Sequence, residues 1–196
     1  RVLFPYDRLP REVAVMAGAV PKLWWFDRFD DRIGILPVVG ELVHTEELNG
    51  EDTIEFETRE VPAKGDRLLW QDGEVWREHV VIRTDEPLEG LCSVYAESSL
   101  CELLDDFIEE QHLMSKTAAQ ALAVALAPTR WTIASCGVTG TAGCVLYHVN
   151  ALWALRRVAE VWSGEVTAVI GVSDGRVASR SVRLDEQRGA WRGLRF

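Results

Sequence analysis

Residues 41–59 read ELVHTEELNGEDTIEFETR, and this stretch decides the expected fold because two strand-like runs meet at Asn49-Gly50. An Asn-Gly pair favours a type I′ hairpin turn, in which both residues take positive φ. After the turn, Ile54 and Phe56 alternate with glutamates, so the apolar pair faces one side of a strand and the carboxylates face the other. The stretch predicts a half-buried antiparallel hairpin and not an active-site loop.

Length and composition are typical of a globular protein. The chain has 196 residues, of which 47% are hydrophobic, and can bury a substantial core in one large domain or two small ones. No apolar run reaches the roughly 18 residues of a membrane helix, and the N-terminus lacks the layout of a secretory signal peptide. The sequence predicts neither membrane insertion nor export by that route.

The charge argues against a nucleic-acid reader. The formal net charge is -10, whereas a nucleic-acid reader needs a basic footprint. Residues 85–110 carry nine acidic side chains and no basic one, and residues 176–196 carry six arginines. Apolar residues are interleaved with those arginines, so we expect a solvated strand face there, with a phosphate-binding tail as the alternative.

Residues 22–97 carry the signals of β-strands. Six or seven short apolar runs are separated by turns, among them a second hairpin at Asp72-Gly73. This spacing predicts a small antiparallel barrel or sandwich, whose edges must be closed or covered. Trp24 and Trp25 are neighbours in one run and must point to opposite faces. We expect at least one of them to meet a neighbouring domain or subunit.

Beyond residue 97 the periodicity becomes helical. Ser99 and Glu102 have the spacing of a capping box, and apolar residues form one stripe of a helix over residues 100–108. Acidic residues 105–110 occupy the polar face of that helix, where solvation accounts for them. This is the strongest helix signal in the chain.

Two further helices and a hairpin complete the second half. One helix is predicted over residues 115–127, where a proline stops it, and another begins at an Asn150 cap and ends at Gly164 in a left-handed conformation. Residues 166–172 and 177–182 read as the strands of a last hairpin.

Together these patterns predict an α+β protein. An antiparallel β-barrel-like domain over residues 22–97 is followed by a partial α/β domain over residues 98–196, with about three helices and short strands. We expect the second domain to be incomplete at its C-terminus, with an exposed patch where the missing part packs. Residues 1–21 read as an N-terminal extension, in which residues before Met16 are upstream or non-native sequence.

Catalytic and metal-binding motifs are weak. The chain has no Gly-x-Ser-x-Gly elbow and no His-Glu-x-x-His, and the glycines of residues 137–143 lack the Gly-Lys-Ser/Thr ending of a phosphate loop. Glu109 and His112 have an i, i+3 spacing seen in carboxylate-bridged metal sites, but such sites need a second copy. We therefore predict no catalytic, cofactor-binding or metal-binding residue and no cofactor.

The remaining candidate groups have structural explanations. His44, His79 and His148 lie in strand-like runs, where satisfied or exposed histidines are commoner than general bases. The eight tryptophans are spread over many elements, which favours core and interface roles over a carbohydrate platform. Four scattered cysteines are expected to be free thiols: Cys92, Cys101, Cys136 and Cys144.

A series of local signatures follows in a definite order between residues 22 and 184: ELNGEDTIEFE at 47–57, the Asp72-Gly73 hairpin, a helix opening at Ser99, SKTAAQAL at 115–122, Trp131, and NALWALRRVAEVW at 150–162. This order resembles the N-terminal part of phage and prophage tail hub proteins. These are described as tail-associated lysins, prophage endopeptidase tail proteins or minor structural proteins, and are related to baseplate hubs and the type VI secretion spike.

The resemblance implies a structural part of the tail tip. Members of this family form homotrimers, in which the first barrel joins a pseudo-hexameric ring between the tail tube and the tip, and DNA passes without specific binding. Peptidoglycan-cutting activity normally lies in a separate C-terminal module, so no catalysis is implied for this segment. The implied partners are further copies, a tube or distal tail protein above and a tip or lysin module below, with no membrane. The implied location is the virion tail, assembled in the bacterial host cytoplasm.

The resemblance also suggests site residues. Glu51, Glu55 and Glu57 are candidates for an acidic lumen lining that repels DNA phosphate, although they could equally face bulk water. Trp24 and Trp25 are candidate interface aromatics. Two alternative functions stay open: a peptidoglycan endopeptidase, which needs a cleft with a nucleophile or metal, and a receptor- or carbohydrate-binding tail-tip module, which needs several tryptophans exposed together.

Overall fold

A computed structural model describes residues 11–15, 21–85 and 90–187. Residues 1–10 and 16–20 of the predicted extension lie outside the described residues, whereas Arg11–Val15 form a strand. The elements in chain order are β1 (Arg11–Val15), β2 (Leu23–Phe26), β3 (Arg32–Leu36), β4 (Val39–Glu47), β5 (Asp52–Thr58), β6 (Arg67–Asp72), β7 (Val75–Asp85), β8 (Cys92–Ser98), a 3-10 helix (Ser99–Leu104), β9 (Phe107–Thr117), α1 (Ala118–Leu126), β10 (Thr132–Cys136), β11 (Thr141–Asn150), α2 (Ala151–Val161), β12 (Gly164–Ser173) and β13 (Arg176–Glu186).

The first eight strands form one antiparallel sheet in the order β1-β4-β5-β8-β7-β6-β2-β3. The sheet curls into a half-barrel. Alternate residues point inward, as Ile54 and Phe56 do on β5, and form an inner core with Trp70 at 0% exposure. The strands predicted for residues 22–97 are therefore present.

The β4–β5 hairpin forms as predicted, but its turn differs from the expected type. Four residues separate the strands, and Asn49 takes φ 52° while Gly50 does not take positive φ. Gly50 is required for space instead, because a Cβ there would lie 2.9 Å from the Cβ of Glu47.

The second half contains a three-stranded sheet, a two-stranded ribbon and two helices. The sheet has the order β10-β13-β12, with β10 parallel to β13, and the ribbon pairs β9 with β11. The helices pack against both and form an outer core, centred on buried residues such as Leu122 and Leu155. Phe26 and Leu69 of the curled sheet join this outer core, so the two halves share apolar contacts.

The predicted fold class was wrong, because the described part of the chain is mostly β, with 59% strand and 16% helix, and is not a balanced α+β protein. The main error lies in the first predicted helix. Residues 99–104 form only a 3-10 helix, and Phe107–Thr117 form the long strand β9. Leu103 is fully buried, but Leu104 and Phe107 are 50% and 54% exposed, so the apolar stripe does not face one side.

The other two helices are confirmed, with adjusted ends. A capping box between Thr117 and Gln120 starts α1, and the Asn150 side chain caps α2 by accepting a hydrogen bond from the Trp153 backbone N–H at 2.8 Å. The left-handed residue after α2 is Ser163, with φ 54°, and not Gly164. In the described part of the chain neither α-helix has the length or apolar character to cross a bilayer.

Candidate functional site

A cluster of polar side chains lies inside the half-barrel, next to the β4–β5 and β6–β7 turns. Asp52 Oδ1 lies 2.9 Å from His44 Nε2 and 3.1 Å from His79 Nε2. The Trp70 indole N–H donates to His79 Nδ1 at 3.1 Å. Arg77 Nη1 lies 3.8 Å from Asp52 Oδ2. Because four strands supply these groups, the cluster ties β4 and β5 to β6 and β7 across the interior.

The ligand atoms of His44, Asp52 and His79 lie within 4.8 Å of one another, which is close enough to hold a metal ion. The hydrogen bonds argue against that use. An indole N–H can only donate, so His79 Nδ1 must accept and the ring proton must sit on Nε2, where it points at Asp52. A metal on Nε2 would move that proton to Nδ1, against the Trp70 donor. The cluster fits a closed hydrogen-bond network better than a metal centre.

The network favours an ionised Asp52. Burial by itself raises the pKa of this carboxyl, but the electrostatic attraction of His79 and hydrogen bonds from both histidines outweigh burial and hold its pKa well below the ordinary range. His79 is 1% and His44 6% exposed. The predicted role of these two histidines as satisfied strand residues agrees with this geometry.

A second polar cluster joins the two halves of the chain. The Arg180 guanidinium on β13 donates two hydrogen bonds to Glu78 on β7, at 2.7 and 2.5 Å, and also contacts Asp30 at 2.7 Å. Arg67 pairs with Glu102, which in turn accepts from Arg130. Three arginines thus meet three carboxylates. The prediction of a solvated strand face for the C-terminal arginines was wrong for Arg180, which is 9% exposed.

The β4–β5 turn also contacts the second half. The Asn49 side chain donates to the Gly164 carbonyl at 2.9 Å and accepts from the Val166 N–H at 2.7 Å. Through these two bonds the Asn49 side chain pairs with the edge of β12 in the way that the backbone of a neighbouring strand would. The Gly50 carbonyl accepts from the Arg156 guanidinium of α2 at 2.6 Å. Asn49 and Gly50, which form the hairpin turn, therefore also hold the curled sheet to α2 and β12.

The three candidate lumen glutamates lie in two different surroundings. Glu51 lines a cleft of about 880 Å³ between the curled sheet and the α2–β12 region, where the Tyr95 hydroxyl lies 3.5 Å from its carboxylate. Glu55 and Glu57 are exposed on the outer face of β5, along a shallow groove of about 380 Å³. Burial and the carboxylates of Glu97 and Glu51 raise the pKa of Tyr95 to about 12.

The two candidate interface tryptophans point to opposite faces, as their positions in the sequence require. Trp24 packs against the outer core and Trp25 against the inner core. The Trp25 indole donates to Asp66 at 2.8 Å. Lys22 and Arg32 stack on the Trp24 ring at 4.0 and 4.2 Å. Both side chains are half-buried within the chain.

Unpaired strand edges carry exposed apolar side chains. Among the described residues, β3 ends the curled sheet and the β9–β11 ribbon has two strands only, so both present open edges. On β3, Ile33 and Ile35 are 50% and 48% exposed. On the ribbon, Phe107 and Tyr147 are 54% and 60% exposed. Natural proteins usually cover such edges, which makes these segments candidates for protein contacts.

Sequence reasoning missed both polar clusters because their members are far apart in the chain. Asp52 and His79 are 27 positions apart, and Glu78 and Arg180 are 102 apart. The one local signal was polar residues inside otherwise apolar strand runs, such as His79 before residues 80–82. The i, i+3 pair Glu109 and His112 falls on a strand, where this spacing puts the two on opposite faces.

Part of the chain is similar to a known protein family. Residues 105–170 match the family model of the prophage endopeptidase tail domain. The matched segment includes the β9–β11 ribbon, both α-helices and most of β12. The resemblance to phage and prophage tail proteins is thereby confirmed. None of the curated proteins compared with the chain matches it.

Two solved structures are similar to the chain. Prophage tail protein gp18 from Listeria monocytogenes EGD-e aligns with a TM-score of 0.64 and 12% identity, over 84% of this chain and 50% of that protein. The tail protein from Neisseria meningitidis MC58 aligns with a TM-score of 0.47 and 14% identity, over 88% of this chain and 50% of that protein. The first shows a shared fold, and this chain spans half the length of each. The family match supports a structural role in a phage tail.

Proposed function

We propose that the chain is a structural component of the tail tip of a phage or prophage, a hub subunit that forms a ring with copies of itself between tail tube and tip. The observation that carries this proposal is the pair of open edges, β3 and the β9–β11 ribbon, whose apolar side chains are exposed in the single chain. A ring of copies covers such edges. The family match over residues 105–170 supports the same class.

The proposed subunit arrangement is a homotrimer, with a tube or distal tail protein on one side and a tip or lysin module on the other. In this arrangement Glu55 and Glu57 on the outer face of β5 line the lumen, and their charge keeps DNA phosphate from binding as it passes. Trp24, held between two cations on the same outer side as the exposed residues of β3, lies close to the proposed contact. The function is structural and non-catalytic.

One observation weighs against the carbohydrate-binding alternative. Such a site stacks sugars on several tryptophans exposed together, but among the seven tryptophans of the described residues only Trp153 is exposed. The endopeptidase alternative needs polar side chains that meet in one site, and among the described residues His44, Asp52 and His79 come nearest to this. The ring nitrogens of these histidines that face Asp52 and Trp70 are already used in hydrogen bonds.

Cryo-electron microscopy of intact tails tests the proposal directly. We expect three copies around the tail axis at the distal end of the tube, with β5 facing the lumen. Copies along the tube wall, or on the outside of the tail, would contradict the hub role. The purified chain should also leave peptidoglycan intact, and release of muropeptides by this segment would favour the endopeptidase instead.

A further inference from the structure

We infer that the β2–β3 edge of one copy binds the β9–β11 ribbon of the next copy, and that complementary charge selects this pairing. The inference rests on the proposed self-assembly and names the two surfaces that would meet. We call them the basic edge and the acidic ribbon. The basic edge comprises Lys22, Arg28, Phe29, Arg32, Ile33 and Ile35. The acidic ribbon comprises Asp105, Phe107, Glu109, Glu110, Val145 and Tyr147.

The basic edge combines apolar and cationic groups on an unpaired strand. Phe29, Ile33 and Ile35 are 71%, 50% and 48% exposed. Lys22 and Arg32 stack on Trp24, and the Arg28 guanidinium lies 4.8 Å above the Phe29 ring. Stacking holds the positive charges beside the apolar surface. Three acids lie in the same segment: Asp27 accepts the backbone N–H groups of Phe29 and Asp31, Asp30 pairs with Arg180 and Arg130, and Asp31 is exposed.

The acidic ribbon also combines exposed apolar side chains with charged groups, but its charges are negative. Tyr147 lies opposite Glu110 in the ladder, and Phe107 and Tyr147 flank His148 with ring centroids 5.9 and 4.3 Å away. Asp105, Glu109 and Glu110 are exposed beside them, and Glu110 lies 2.7 Å from His112 Nε2. Lys116 lies farther along β9, at the other end of the ribbon.

Charge decides between the ways in which two copies can meet. Two ribbons would bring the carboxylates of Glu109 and Glu110 together, and two basic edges would bring arginines together, so either like pairing is repulsive. An edge against a ribbon pairs opposite charges, while both bury their exposed apolar residues. Contact between different surfaces of identical subunits is heterologous, and such contacts repeat to give closed rings when the rotation closes.

Charge reversal tests the pairing. Variant R carries Glu109→Lys and Glu110→Lys, and variant E carries Arg28→Glu and Arg32→Glu. We expect each alone to self-associate at least tenfold more weakly than the unchanged chain in sedimentation equilibrium at low ionic strength. A mixture of R and E should recover association in R–E pairs, because the ribbon of each variant then meets an edge of opposite charge on the other. A closed ring of three copies would still keep one contact between like charges. Added salt should weaken the association of the unchanged chain.

A matched control carries the same change in charge elsewhere. Glu60→Lys with Glu74→Lys alters two exposed loop glutamates and should leave self-association within twofold. Circular dichroism confirms folding of each variant.

If the chain self-associates but R and E behave like the control, or their mixture stays dissociated, the pairing is wrong and the hub proposal survives. If R loses binding only to a different tail protein, the ribbon has another partner and the inference fails. If the unchanged chain does not self-associate at all, the hub proposal itself fails.

Discussion

Trp70 determines where the protons lie in the histidine–aspartate cluster. Its indole N–H faces His79 Nδ1 at 3.1 Å, so the lone pair on that nitrogen is in use and the proton stays on Nε2. Asp52 accepts that proton's hydrogen bond, and as a carboxylate it also requires His44 Nε2 to donate. One buried tryptophan thus fixes the tautomer of a histidine, and that tautomer disfavours a metal on His79 Nε2.

This assignment predicts the behaviour of His79 in solution. In nitrogen-15 NMR spectra, the His79 ring should carry its proton on Nε2, and zinc should leave its ring signals unchanged. Trp70→Phe removes the donor, and added zinc should then shift the His79 ring signals. Trp25→Phe is the matched control, because it removes an indole donor that contacts Asp66 instead. Zinc shifting both histidines of the unchanged chain would refute the assignment.

At this scale the sequence predicts the environment of each residue but not its partners. Period-2 patterns correctly placed Ile54 and Phe56 inside, and adjacent tryptophans on opposite faces. The meeting of His44, Asp52 and His79 depends on how far the sheet curls, and no local pattern encodes that curl. Non-local pairing, and not residue type, was the missing information.

At the level of elements, the β4–β5 hairpin shows one turn serving two purposes. Asn49 takes the left-handed conformation and also bonds β12 with both ends of its side-chain amide. Asn49→Gly keeps the conformational freedom but removes both bonds, so we expect unfolding free energy to fall by about 1–2 kcal/mol. Asp174→Gly is the control, since Asp174 has φ 53° at an exposed turn. Equal effects of the two substitutions in urea unfolding would contradict the tie to β12.

The strands β7 and β13 are joined by the Arg180–Glu78 pair, and its loss should be costly. Glu78 is 3% exposed, so Arg180→Met leaves a buried carboxylate without its bidentate partner, a change worth about 3 kcal/mol. Arg183→Met on the same strand should cost about 0.5 kcal/mol, because its partner Asp185 is one-third exposed. The double variant Arg180→Met with Glu78→Met should recover much of the loss. A purely additive double variant, measured by urea unfolding, would show that the pair is not coupled.

The error over residues 99–110 also belongs to the scale of elements. A capping-box spacing and an apolar stripe are local signals, and locally they are satisfied by the short 3-10 helix Ser99–Leu104. From Phe107 onward, β9 pairs along its length with β11, which lies more than 20 residues later. Tertiary pairing overrides helix periodicity where the supposed apolar face has no core to meet. By contrast, α1 and α2 carry both caps and buried faces and were predicted correctly.

On the scale of the whole molecule, the two halves are held by polar groups as well as by the outer core. Arg180, Glu78 and Asp30 join β13 to the curled sheet, and Glu102 links to it through Arg67. The arginines outweigh the effect of burial and lower the pKa of the Asp30 and Glu102 carboxyls. His44 and His79 likewise lower the pKa of the Asp52 carboxyl. These carboxylates stabilise the fold only while they are ionised.

The whole chain should therefore lose stability in acid. A carboxyl whose pKa is lower in the folded chain contributes stability that is fully present above its unfolded value, about 4, and is lost as pH falls towards the folded value. We expect the urea midpoint to stay nearly level from pH 7 to pH 5 and to fall steeply below pH 4. Asp52→Asn should cost about 2 kcal/mol at pH 7 and progressively less in acid, because asparagine does not titrate. Asp174→Asn, at an exposed turn, should follow the unchanged chain at every pH. A urea midpoint of the unchanged chain that rises below pH 4 would show that these carboxylates do not stabilise the fold.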